Sequence, residues 1–196
     1  ILDIPGAISI ETWIKPSSPA LTSYHQIMGN GSAGGNQQYG LNMLDGDITF
    51  SISAGNSFED YSVDSNFIAN TWYHIVATNT GSDNVIIYIN GIANTPMKTG
   101  SIATPSSASG NMSIGRNGDK DQEYYEGIID STKIFNYVRT PSQIAWSYNR
   151  GNPVAHWQFD EISGTTANDA SENTLNGTLT NSPTHTTSGK INSTID

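Results

Sequence analysis

The sequence predicts an all-β protein, a sandwich or a barrel, and three observations carry that prediction. Short segments of period-two alternation recur along the chain, separated by Gly, Asn, Asp and Pro clusters at spacings of roughly ten residues. Ser, Thr and Asn together supply about a third of the residues, alongside 19 Gly, a composition of strands and turns and not of helical bundles. Two dipeptides, Asp45-Gly46 and Asn90-Gly91, sit between apolar runs and supply the positive φ values of tight hairpins.

The elements follow in order. Residues 7–14 alternate, with Ile8, Ile10, Thr12 and Ile14 on one face and Ser9, Glu11 and Trp13 on the other. Further strands are expected at 24–29, 38–44, 47–53, 72–79, 84–90, 111–115 and 126–137. Trp13 and Trp72 fall within this alternation and read as core, and His74 reads as a hydrogen-bonded structural histidine. One helix is expected over 141–150. Thr140 caps it, Pro141 suits its first position, Gln143 completes a capping box and Gly151 ends it. Trp146 reads as the residue that anchors this helix onto the strands. Beyond Gly151, residues 154–160 read as another strand, 161–189 as a long polar loop and 190–196 as a final strand.

Composition excludes several classes of function. The formal charge is −10, which disfavours nucleic acid and anionic membrane surfaces as partners. There is no cysteine, so a disulfide scaffold, a thiolate zinc site and a cysteine nucleophile are all excluded. No apolar run reaches the length that spans a bilayer. Ile1-Leu2-Asp3-Ile4-Pro5 reads as neither a signal peptide nor a domain start, and a longer precursor is expected.

Several segments together resemble laminin G-like jelly-roll domains of the concanavalin A-like lectin and glucanase group. They are Ile8 to Pro16, Thr71 to Thr78, Val85 to Gly91, Ser113 to Arg116, Tyr125 to Asp130, Ile134 to Tyr137 and the helix over Thr140 to Arg150. Their order and spacing agree across residues 7–150. The resemblance implies a two-sheet antiparallel jelly roll with one short helix. Ala155 to Glu161, Ser163 to Thr166, Asp169 to Ser171 and Gly189 to Ile191 resemble the opening of such a domain, not its end. The chain therefore reads as a single domain, 1–196, cut in permuted register from a tandem repeat. Residues 1–152 form its main body, and 153–196 supply opening strands and a loop. The alternative is that 153–196 belong to a neighbouring repeat.

The resemblance also frames the candidate sites. Retaining glucanases of the superfamily carry Glu-x-Asp-x-x-Glu on one strand, with carboxylates at the short separation that nucleophile and acid require. That pattern is absent. Glu59-Asp60 reads as part of a loop, Glu123 and Glu126 flank two tyrosines, and His25, His74, His156 and His185 are scattered. A non-enzyme is expected: a recognition module of a secreted or cell-surface protein, binding a polysaccharide or other glycan. The alternatives are a structural or adhesive repeat that contacts protein partners or neighbouring repeats and, behind it, a glucanase-like hydrolase. Sugar recognition combines an aromatic platform with orienting amide, carboxylate and hydroxyl groups. The loops offering that mixture are 30–38, 56–66 and above all 117–125, where Asn117, Asp119, Asp121, Tyr124 and Tyr125 are the expected ligand contacts; a solvated loop with one tyrosine packed inward is the alternative. For a metal, Asp130 resembles the closing-strand aspartate that binds structural calcium in related jelly rolls. Asp160 and Asp169 would join it if the permuted closure holds, with calcium as the cofactor. Otherwise Asp130 caps a turn and 169–173 is an Asx turn.

Overall fold

The structure is a computed structural model that describes residues 2–18, 23–31, 38–54, 57–81, 84–101, 111–118, 123–171 and 173–196. The chain divides into two compact units, Ile1–Tyr148 and Asn149–Asp196.

The first unit is a jelly-roll sandwich. Its strands are β1 (Ile8–Pro16), β2 (His25–Asn30), β3 (Tyr39–Leu44), β4 (Asp47–Ala54), β5 (Ser57–Val63), β6 (Tyr73–Asn79), β7 (Val85–Ile89), β8 (Ile92–Asn94), β9 (Met97–Gly100), β10 (Met112–Ile114) and β11 (Gly127–Phe135), followed by helix α1 (Pro141–Tyr148). A five-stranded sheet runs in the order β11-β1-β6-β7-β8, and a six-stranded sheet in the order β10-β2-β3-β4-β5-β9. All their pairings are antiparallel. The expected hairpins are present: Asp45 and Gly46 take φ of 52° and 87°, and Asn90 and Gly91 take 51° and 78°.

Period two decides what is buried. Ile8, Ile10 and Ile14 point between the sheets and meet Ile27, Leu41, Met43, Ile48, Phe50, Tyr61, Ile75 and Ile87. The opposite face of the five-stranded sheet is roofed by α1. There Ile144 packs with Val76 and Tyr88 in a second, smaller apolar cluster. The capping box forms as its residues require: the Thr140 N–H donates to Gln143 Oε1 at 2.9 Å, and the Gln143 N–H donates to Thr140 Oγ1 at 3.3 Å. Trp146 does not anchor the helix. It is 66% exposed, because Ile144 and Tyr148, one turn apart, share the face turned to the sheet.

Two further expectations are corrected here. Trp13 and Trp72 are not core: Trp13 lies on the roofed side of the five-stranded sheet, where it stacks on Tyr148 at 6.0 Å, and Trp72, just before β6, is 40% exposed. Residues 57–63 are strand β5 and not a loop. Glu59 and Asp60 interrupt the apolar alternation there, yet Phe50 faces Tyr61, and Ile48 faces Val63, across the β4–β5 ladder.

The second unit holds β12 (Thr166–Ala167), β13 (Gly177–Thr178), β14 (His185–Thr186) and β15 (Thr194–Ile195). They form two two-stranded ladders, β12 with β13 and β14 with β15. Residues 154–160 form no strand; Trp157 makes a single bridge to Asp169. Phe159 takes φ of 57°, outside the extended region that a strand needs. Among the described residues, every strand of the two large sheets lies between Ile8 and Phe135. No helix among them is long and apolar enough to cross a membrane.

Candidate functional site

The outer face of the six-stranded sheet is polar and made of small side chains. Across the ladders, Asn42, Thr49 and Ser62 form one row, and Gly40, Ser51 and Asp60 form the next. Asn42 Nδ2 donates to Ser51 Oγ at 3.2 Å, and the Thr49 and Ser62 hydroxyls lie 2.9 Å apart. These short side chains leave room for Tyr24, which precedes β2, to reach across to β5. Its hydroxyl donates to Asp60 Oδ2 at 2.8 Å. Burial, then the hydrogen bond and the charge of Asp60, push the Tyr24 phenol well above its ordinary range, so it stays a donor at physiological pH. The second oxygen of Asp60, Oδ1, is buried and has no hydrogen-bond partner among the described residues.

The connection between β10 and β11 is stitched onto this sheet beside Tyr24. The Gly115 N–H donates to the Ile27 carbonyl, and the Gln26 N–H donates to the Glu123 carbonyl, at 2.8 and 2.9 Å. Gln26 and Tyr124 form a parallel bridge. The His25 ring joins the two segments: Nδ1 lies 2.6 Å from the Tyr124 carbonyl and Nε2 lies 3.2 Å from Ser23 Oγ. Since a carbonyl only accepts, Nδ1 carries the proton. Asn117 Nδ2 donates to Glu123 Oε2 at 2.7 Å. The charge of Glu123 adds weakly to the upward push on the Tyr24 phenol.

The two tyrosines of this connection part ways. Tyr124 is 48% exposed, while Tyr125 packs into the core with its hydroxyl buried and burial raising its phenol. Tyr125 therefore serves the core and not a ligand surface. Asn117 is itself buried and fixes Glu123. Asp119 and Asp121 lie outside the described residues. The described ends of the 30–38 loop are occupied otherwise: Asn30 Nδ2 donates to the Leu2 carbonyl at 2.5 Å, and Gln38 bonds to Asp3 and Ile4. Sequence reasoning does not single out Tyr24, His25 or Asp60 for this site. Asp60 lies within 56–66, which the sequence offers as a candidate loop without marking this residue and whose residues 57–63 fold as β5. Tyr24 and His25 sit beside β2 with no motif to mark them.

The expected metal residues do different things. Asp130 is exposed on β11, where Ser131 Oγ donates to its Oδ1 at 3.2 Å. In the second unit, Asp160 accepts from Asn192 and Ser193. Asp169 accepts four bonds, from the N–H groups of His156, Ser171 and Leu175 and from Ser171 Oγ, at 2.6 to 2.9 Å. The Ser171 hydroxyl, with the backbone donors, holds the Asp169 carboxyl far below the usual carboxylate range. Among the described residues, no group of three or more His, Asp or Glu is placed to hold a metal ion.

Under the helix lies a buried charged cluster on the five-stranded sheet. Glu11 is fully buried and contacts Arg139 through Oε2 and Lys133 through Oε1, the latter at 2.8 Å. His74, also fully buried, places Nε2 3.5 Å from Glu11 Oε1. Neither ring nitrogen of His74 has a hydrogen-bond partner among the described residues, so it is a packed histidine and not a hydrogen-bonded one. Glu59 likewise holds Lys98 at 2.5 Å and the Tyr61 hydroxyl at 2.9 Å. The carboxylates of Glu11 and Glu59 are thus tied up within the fold.

A laminin G-like family model described as the concanavalin A-like lectin/glucanases superfamily matches residues 1–145. The chain belongs to this superfamily. Its fold is shared with solved structures of low identity. A native heptameric SAP-like pentraxin from Limulus polyphemus is 17% identical, with a TM-score of 0.54 over 75% of this chain and 73% of the pentraxin. The binding domain of botulinum neurotoxin DC in complex with SialylT is 17% identical (TM-score 0.56), covering 78% of this chain and 38% of that one. The same toxin's binding domain in complex with rat synaptotagmin II is 19% identical (TM-score 0.57), covering 85% and 39%. This superfamily member thus spans about two fifths of those toxin chains. Among curated proteins none matches it.

Proposed function

We infer that this superfamily member is a non-catalytic binding module of a secreted or cell-surface protein and that its ligand is a carbohydrate. The site is the patch formed by Tyr24, His25, Asp60, Glu123 and Tyr124. The observation that carries the reading is Tyr124. It is a half-exposed aromatic residue whose carbonyl is held by His25 Nδ1, next in the chain to Glu123, while Tyr24, the neighbour of His25, bonds to Asp60 on β5. A pyranose stacks its C–H face on such a ring while carboxylates and phenols accept and donate to its hydroxyls. The match to a toxin domain in complex with SialylT agrees with a sugar as ligand. A non-catalytic role agrees with the partners of Glu11 and Glu59, which leave no carboxylate pair among them available for acid and nucleophile.

A glycan array followed by titration calorimetry tests the reading. Tyr124→Ala is expected to weaken binding by about tenfold or more, at about 1.4 kcal/mol per decade, while Tyr124→Phe keeps most of it. Absence of binding across the array, or binding indifferent to Tyr124→Ala, would overturn it. Release of reducing ends from a polysaccharide panel would overturn the non-catalytic part.

A further inference from the structure

β11 is the outermost strand of the five-stranded sheet, and among the described residues only β1 pairs with it. It is poorly covered for a nine-residue strand. Ile128 is 53% exposed, and Ile129 and Ile134 pack against the core while only partly buried. Near its end a groove of about 540 Å3 opens between residues 2–7 and 134–137.

The register with β1 assigns the faces on both sides of an irregularity at Ser131 and Thr132. Ile129 and Ile134 lie opposite the core residues Ile14 and Ile10. Ile128, Asp130, Lys133 and Phe135 lie opposite Lys15, Trp13, Glu11 and Ser9, on the other face. Between Asp130 and Lys133 the strand uses one residue more than β1 does, and Ser131 takes φ of 52° there. This bulge inverts the alternation of half the strand. From one end β11 then reads Ile128, Ile129, Asp130, and from the other Phe135, Ile134, Lys133, with the same faces in the same order.

We propose that β11 is a self-complementary edge that pairs antiparallel with β11 of a second copy, across a two-fold axis between Ser131 and Thr132. In that register Ile128 meets the partner's Phe135, Ile129 meets the partner's Ile134 and Asp130 meets the partner's Lys133, each pair formed twice. A two-fold axis normal to the sheet preserves faces, so opposed residues must share one. They do so in this register only because of the bulge. The apolar pairs cover the half-buried Ile129 and Ile134, and the charged pairs add cross-strand attraction. Lys133 already contacts Glu11, but its side chain is 51% exposed and an ammonium has three donors. Bulges and lysines on an edge discourage indiscriminate pairing. Here they leave one register in which faces and charges agree, and its partner is an identical strand.

The chain has no cysteine, so a single introduced thiol reports on this contact. Ser131→Cys brings two thiols to the axis, within the span of a disulfide. Mild oxidation is expected to link the copies, while Thr95→Cys, exposed between β8 and β9 on another part of the sandwich, stays unlinked. Sedimentation of the unmodified chain is expected to show a concentration-dependent dimer. Asp130→Lys, which sets lysine against lysine twice, weakens it about tenfold or more with the melting temperature nearly unchanged. A monomer at all concentrations with no linking at Ser131→Cys beyond the Thr95→Cys control would overturn the proposal. So would a dimer indifferent to Asp130→Lys.

Discussion

Replacing Arg139 by methionine is expected to cost the sandwich about 3–5 kcal/mol, because it leaves a buried carboxylate short of its main counter-charge. Glu11 sits fully buried between β6 and β11, and Arg139 is only 7% exposed above it. The remaining cation, Lys133, is half in solvent, and His74 is neutral at physiological pH. The guanidinium also fastens α1. Nη1 donates to Ser147 Oγ and Nη2 to the Gln143 carbonyl, at 3.0 and 2.9 Å, and the group lies 4.6 Å over the Phe135 ring. Urea denaturation should show the loss in the midpoint, and a thermal scan should show a fall on the order of 10 °C. Arg139→Lys is expected to recover only part, since one ammonium cannot make the forked set of bonds. A Glu11→Leu, Arg139→Met pair should recover more than either single change, because it removes charge from the interior instead of stranding it. A loss below about 1 kcal/mol in Arg139→Met would mean that water reaches Glu11.

Acid should destabilise the same sandwich through His74. Burial first, and then the Lys133 charge, pull the His74 imidazole down to about 4. Glu11 lies close enough to favour the imidazolium, but Arg139 and Lys133 already balance it, so a further positive charge meets net repulsion. In the unfolded chain the same group titrates near 6.5. The unfolded state therefore takes up the proton first as pH falls. Stability is full above about pH 6.5, declines between there and about pH 4, and levels off below, for a total near ~3 kcal/mol. His74→Phe keeps a ring between Trp13 and Tyr148 and has nothing to titrate. Its stability is expected to be flatter over that window when free energies of unfolding are compared at pH 7 and pH 4.5. Equal slopes in the two proteins would show that His74 is protonated in the fold.

The sandwich was legible where local pattern and tertiary demand agree. Ile8, Ile10 and Ile14 alternate with Ser9, Glu11 and Trp13, and the structure buries the first set between the sheets. Thr140 and Gln143 read as a capping box and form one. Legibility fails where a residue's environment is made by something far away in sequence. Glu59 reads as a loop residue because its burial depends on Lys98. Trp13 reads as core because nothing local reveals that α1 will roof the other side of the sheet. Residues 154–160 carry a strand's alternation, but no described strand offers them a ladder. At the candidate site, Tyr124 and the fixing role of Asn117 lay within the expected loop. The contribution of Tyr24 and Asp60 depends on crossing β3 and β4, which no spacing records.

The second unit follows from Asp169, whose four accepted bonds gather residues 156, 171 and 175 around one half-buried carboxylate. Ala167 is its only buried apolar residue among those described, and Trp157, Ile162, Leu175 and Ile191 remain outside. A fold organised by lone pairs in this way uncovers little hydrocarbon when it opens. Its melting should carry a small heat-capacity increment and a shallow urea slope, and should look more like the fraying of a long turn than the cooperative collapse of a globule.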